Sequence, residues 1–275
     1  MVFARLLLGA ILLEAAIPVA QPALFRRASA RGSNRSSAIT LRKRLHVNTL
    51  ITPPGEMEVE WGGAFSPGGA FSFPSAVKYT PQGPHAYWGR TELSASLDSL
   101  SSAVQFDNRI TQFSDRVTFA ANCVVHDGAK LDLAIAPQTS FLLRGDRGAR
   151  VGASGIARYD IGRNSAGASF TWTAATDSSP TNPAGTFDIG TGYGFQLMPA
   201  GPLSHLTAHT NWLYEKSTGA EREMSLFEGV EYQITEKIAV DFSGQHFSVW
   251  GGPVDHQVAI GLTVNLGRLR REKTE

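Results

Sequence analysis

The amino-acid sequence predicts an all-β fold, an antiparallel up-and-down transmembrane β-barrel of about twelve strands, on three observations. Apolar and polar residues alternate in one run after another along the chain. The runs approach the roughly 9 to 11 residues with which a tilted strand crosses a bilayer. Connections between them alternate between short and long, as in membrane barrels. A strand throws successive side chains to opposite faces, so each run has one apolar and one polar face.

The first run, "EMEVEWGGAF", is residues 56–65. Glu56, Glu58 and Glu60 share one face, while Met57, Val59, Trp61 and Phe65 share the other. Three acids rule out a dry core on their side. In "FSFPSAVKYT", Phe71, Phe73, Val77 and Tyr79 oppose Ser72, Lys78 and Thr80. "WGRTELSASLD" sets Leu93, Ala95 and Leu97 against Arg90, Glu92, Ser94, Ser96 and Asp98. "RVTFAANCVV" continues the pattern from Arg116, and "KLDLAIAPQTSFLL" opposes Leu131, Leu133, Ile135 and Phe141 to Lys130, Asp132, Gln138 and Ser140.

The second half repeats it. "RVGASGIARYDI" sets Val151, Ala157, Tyr159 and Ile161 against Arg150, Ser154, Arg158 and Asp160, and "SAGASFTWTAAT" sets Phe170 and Trp172 against hydroxyls. In "TFDIGTGYGFQL" the apolar side holds Phe187, Ile189, Tyr193 and Phe195; Gly190, Gly192 and Gly194 share the other face. Glycines so placed mark curvature or a close neighbour rather than a dinucleotide loop, which needs a following helix. "HLTAHTNWLY", "MSLFEGVEYQI", "KIAVDFSGQHF" and "HQVAIGLTVNL" complete twelve runs, and Phe227 and Glu228 break the parity of the tenth.

Alternating strands also build soluble sandwiches and lipocalin-like barrels with apolar faces inside. Charged polar faces, and aromatics near strand ends on the apolar faces, favour the inverse arrangement, with lipid outside and water within. Segments 98–110, 176–185 and 215–223 read as long polar loops on one side. "HDGAK", "GRNS" and "TEK" read as short turns on the other; "PGGA", "RGDRG" and "MPAGPL" depart from the rule.

Residues 1–20 read as a signal peptide, Arg5 followed by "LLLGAILLEAAIPVA", with cleavage as late as Ala30. Residues 21–48 form a basic arm, expected to be disordered, with seven Arg and Lys and no acid; residues 49–275 carry a net charge of −6. The barrel is expected over 49–267, and a polar tail over 268–275. The arm has almost no aromatics to stack on bases, and export separates it from nucleic acid. The single cysteine, Cys123, shares a parity with Val117 and Phe119 and reads as a small hydrophobe.

From about residue 49 to 267 the chain resembles a bacterial outer-membrane β-barrel family labelled transporter, or MetA-pathway phenol-degradation protein. The resemblance lies in "ITPPGEMEVEWGGAFS", "FEGVEYQITEKIAVDFSGQHF" and "DHQVAIGLTVNLG". It implies a barrel in a Gram-negative-type envelope that passes small, hydrophobic or aromatic compounds, and it brings no catalytic motif. One departure is that the last strand lacks the C-terminal aromatic many such barrels use in assembly, and "GRLRREKTE" follows instead.

The residues expected to line the lumen are Glu58, Glu60, Arg90, Glu92, Arg116, Asp132, Arg158, Asp188, His205, His209 and Asp241. His205 and His209 mimic a metal-binding pair, but on a strand positions four apart lie roughly 13 Å from each other, so no metal is expected. There is no Gly-x-Ser-x-Gly elbow for a nucleophile, and no enzyme activity or cofactor is expected. The expected partners are outer-membrane lipid, small solutes and the assembly machinery, with no nucleic acid. Two other readings are a non-conducting structural or adhesion barrel acting through its loops, and a soluble periplasmic barrel enclosing an apolar ligand.

Overall fold

The computed structural model describes residues 49–268 except 50, 66–70, 84, 86, 106–107, 114–115, 143–147, 179–182, 199, 220–221 and 250–253. The signal peptide, the basic arm, the polar tail beyond residue 268, and the "PGGA" and "RGD" segments lie outside the described residues.

Thirteen strands form one antiparallel sheet: β1 (Glu56–Phe65), β2 (Phe71–Tyr79), β3 (Thr91–Gln105), β4 (Asn108–Phe113), β5 (Arg116–Asp127), β6 (Leu131–Leu142), β7 (Ala149–Ile161), β8 (Asn164–Ala175), β9 (Gly185–Gln196), β10 (Leu206–Ser217), β11 (Arg222–Thr235), β12 (Ile238–Val249) and β13 (Val254–Arg268). Each strand pairs with the next in sequence, except that β3 pairs with both β4 and β5, which do not pair with each other, and β1 pairs with β13, which closes the sheet. Strand β4 is the upper part of β5's stave. It pairs with β3 above Leu97, where β5 pairs below, and the register slips by one residue between them. The barrel therefore has twelve staves.

Closure gives every strand except β4, which pairs only with the upper part of β3, a partner on both edges, as a span through lipid requires because hydrocarbon offers no partner to a bare N–H or C=O. Among the described residues, twenty-eight polar or charged residues are buried against eleven hydrophobic ones, so the enclosed side is polar. The large side chains Trp61, Phe119, Ile135, Tyr159, Trp172, Tyr193, Phe242 and Ile260 stand exposed on the outward face. Toward one rim that face carries an aromatic row, Phe170, Phe187, Tyr214 and Trp212, with successive ring centroids 6.5, 5.8 and 6.3 Å apart. Among the described residues no helix is long and apolar enough to cross a membrane.

We call "lower" the end at which β1 begins and "upper" the end at which it finishes. The short turns Gly162–Arg163 and Glu236–Lys237 lie at the lower end. Two of the long loops expected at the upper end are largely strand. Residues 98–105 continue β3, which pairs there with β4 from Asn108 onward, and most of 215–223 belongs to β10, which runs to Ser217, and to β11, which starts at Arg222. The Ser-rich, acidic composition that reads as loop is equally suited to strands with water on both sides.

The parity break in β11 also resolves. The strand is regular, with Phe227 buried on the enclosed face and Glu228 exposed on the outward one. Met57, expected against lipid, is covered at the lower rim. Cys123 sits half-buried on the parity of Phe119.

Candidate functional site

The enclosed face is organised by register, which decides which charges meet. Lys78 on β2 stands directly opposite Glu58 on β1, and Ala76 stands opposite Glu60. Lys78 therefore reaches both carboxylates: its Nζ lies 3.0 Å from Glu58 Oε1 and also donates to Glu60 Oε1. All three side chains are almost wholly removed from solvent. Such a group is costly to desolvate and holds only while its partners remain together.

Beside it, Glu92 on β3 is held from the chain that precedes β1. Thr52 donates its backbone N–H and its hydroxyl to Glu92 Oε2, at 2.6 and 2.7 Å. Asn265 on β13 donates to Glu56 Oε2 at 2.8 Å. Around the lower wall Asp132 stands opposite Arg158, whose Nη2 lies 2.7 Å from Asp160 Oδ1 two residues along the same strand. Glu231 and Asp241 face each other across β11 and β12.

At the upper end the arrangement differs. Arg150 on β7 donates to Thr173 Oγ1 and Thr186 Oγ1 at 2.8 and 2.7 Å and to the Pro183 carbonyl at 2.9 Å, spanning from its own strand to β8, β9 and the loop between them. Asp188, Glu215 and Glu223 are register partners across β9, β10 and β11 and make a row of three carboxylates. Arg116 is half-buried and donates to Ser140 Oγ at 3.1 Å.

Eight of the residues read from sequence, Glu58, Glu60, Glu92, Asp132, Arg158, Asp188, His209 and Asp241, are buried on the enclosed face, with Arg116 half-buried on the same parity. Two are not there. Arg90 is exposed in a 3-10 turn, Trp88–Arg90, that precedes β3. Its N–H bonds the Tyr87 carbonyl, and Tyr87 stacks on His85 and lies tilted against Trp88, so the extended chain begins only at Thr91. His205 ends a second 3-10 turn, Pro202–His205, and packs against the outward-facing Tyr232 at a ring distance of 6.5 Å. The two histidines therefore lie in different environments. His209 lies over Gly229, where a Cβ would collide with its ring nitrogen.

Sequence reading passed over Lys78, Arg150 and Asp160, although each carried the polar parity, because only register shows what they meet. It also placed Glu215 and Glu223 in a loop. Among the described residues no group of three or more His, Cys, Asp or Glu is arranged to hold a metal ion.

No protein-family model matches the chain, and no curated protein matches it. Solved structures do. An outer-membrane channel from Pseudomonas putida F1 superposes with a TM-score of 0.55 at 10% identity, over 80% of this chain and 98% of that one. The chain has the fold of outer-membrane channels. The KdgM porin in complex with disordered oligogalacturonate gives 0.53 at 9% identity over 75% and 98% of the two chains. The NanC porin gives 0.52 at 10% identity over 76% and 100%. In each case essentially the whole of the solved barrel is matched.

Proposed function

We propose that this protein is a non-enzymatic channel of the bacterial outer membrane that admits small polar solutes, with cations favoured. The single observation that carries the reading is the inverted barrel, a closed sheet with charged residues enclosed and bulky apolar residues exposed around its circumference. Water would fill the inside and lipid would cover the outside, the arrangement that membrane barrels require.

The lining residues Glu58, Glu60, Glu92, Arg116, Asp132, Arg158, Asp188, His209 and Asp241 set the field along the path. Carboxylates outnumber cations on this face, and a low-dielectric wall focuses the potential they create. Passage of hydrophobic or aromatic compounds, which the family resemblance implies, has weaker support. The large apolar side chains buried on the enclosed face, Ile156, Leu213 and Phe227, stand among polar neighbours such as Asn211, Ser225 and Ser154.

The test is insertion of the purified chain into planar lipid bilayers under a potassium chloride gradient, with residues 21–48 present and with them removed. Unitary current steps with a cation-favouring reversal potential are expected. Silence from both forms, or an anion-favouring potential, contradicts the reading.

A further inference from the structure

Charge on the enclosed face is concentrated at one end. The lower half holds eight buried or half-buried carboxylates, Glu56, Glu58, Glu60, Glu92, Asp132, Asp160, Glu231 and Asp241, against two buried cations, Lys78 and Arg158, among the described residues. Among the described residues the upper half holds Asp188, Glu215 and Glu223 against Arg116 and Arg150, a surplus of one. A surplus of six negative charges held out of water at one mouth repels itself unless a cation joins it.

The chain itself arrives at that mouth. Thr52 is fully buried with both of its donors on Glu92, and Thr49, three residues earlier, is buried as well. The backbone therefore runs toward the enclosed side as it is followed back from β1. Polar groups from that mouth to the middle of the barrel also lack partners. The hydroxyls of Thr49, Thr80 and Ser165, and both amide atoms of Asn211, have no hydrogen-bond partner among the described residues, although all four side chains are almost completely buried. Buried polar groups of this kind are normally satisfied, and Asn211 offers a donor and an acceptor side by side, as a passing peptide backbone would use.

Immediately upstream of Thr49 lies the basic arm, whose seven cations are Arg26, Arg27, Arg31, Arg35, Arg42, Lys43 and Arg44. We propose that this arm, residues 26–48, docks in the lower half of the lumen of its own barrel and narrows the path through it. Arg44 is five residues from Thr49, a reach of up to roughly 17 Å in extended chain, and each residue further back adds about 3.3 Å. That is enough to bring Arg42, Lys43 and Arg44 to the carboxylates around Glu58 and Glu92. The surplus and the arm are opposite in sign and of similar size, and the arm is tethered to the mouth it fits, so its effective concentration there is high.

The proposal rests on the channel reading for its effect on current but not for the docking itself, and the experiment separates the two. Trypsin cleavage at the arm is followed in the folded, detergent-extracted full chain and compared with a free peptide of residues 21–48. Single-channel current is recorded for the full chain and for a full-length variant with the seven arm cations changed to Gln (Arg26→Gln to Arg44→Gln). Docking predicts cleavage at least tenfold slower than in the peptide, speeding up in molar salt, and a severalfold larger unitary conductance in the variant. Cleavage as fast as in the peptide with equal conductance in both forms overturns docking and leaves the channel standing. Slow, salt-sensitive cleavage with no current from either form supports docking and removes the channel reading. An arm that is cut freely in detergent but protected on vesicles containing anionic lipid belongs to the membrane surface, which also overturns the proposal.

Discussion

At the lower mouth a lysine is buried between two glutamates, whereas at the upper mouth an arginine reaches across to hydroxyl and carbonyl oxygens while three carboxylates stand in line beside it. Both ends use charge, but with different consequences for stability and for traffic. The lower group is sealed from solvent, so its members depend on one another. The upper group is partly open to water, so its charges act on what passes more than on the fold.

The sharpest way to break this contrast is Lys78→Met. It leaves Glu58 and Glu60 buried without the cation they share, and a loss of about 3–5 kcal/mol is expected, the scale for breaking a buried pair by removing one partner. Urea titration of the folded, slow-unfolding form on gels reads it. A loss below 1 kcal/mol would place Lys78 in water. Thr52→Val comes next. It removes a hydroxyl donor to the Glu92 carboxylate while the backbone bond stays, and a cost of about 1.5–3 kcal/mol is expected for a bond to a charged group, measured in the same titration.

Arg150→Gln should cost less stability, about 1 kcal/mol for a partly exposed group, and should change selectivity more. With Asp188, Glu215 and Glu223 less balanced, the reversal potential is expected to move further toward cations, and an unchanged potential would remove the upper mouth from the selectivity account. The smallest effect is expected on the outward face, at Glu228→Leu. Removing an exposed carboxylate from a lipid-facing strand should stabilise by a few tenths of a kcal/mol to about 1 kcal/mol, in the range for acids near the membrane interface. Destabilisation would mean that this stretch of β11 faces something other than lipid.

The alternation made most of this legible. Parity alone put Glu58, Glu60, Glu92 and Asp132 on one face and Trp61, Leu93 and Ile135 on the other, and the structure keeps those faces. It failed where local turns override it. Pro202 opens the 3-10 turn that carries His205 away from β10, and the packed rings of His85, Tyr87 and Trp88 delay β3 past Arg90. Strand length above the apolar belt was also hidden, because residues 98–110 and 215–223 have loop-like composition and their pairing partners are known only from the register. The Lys78 and Arg150 contacts were illegible for the same reason: a face is a local property of the chain, but a partner is set by how neighbouring strands align.

The inverted, closed barrel is tested by fractionation of the expressed chain followed by gel migration of the detergent-extracted protein with and without boiling. Recovery in the outer membrane, with a folded form that migrates differently until it is heated, is the predicted result. Recovery in the soluble fraction without detergent, with no heat-dependent shift, would contradict it and turn the apolar face inward.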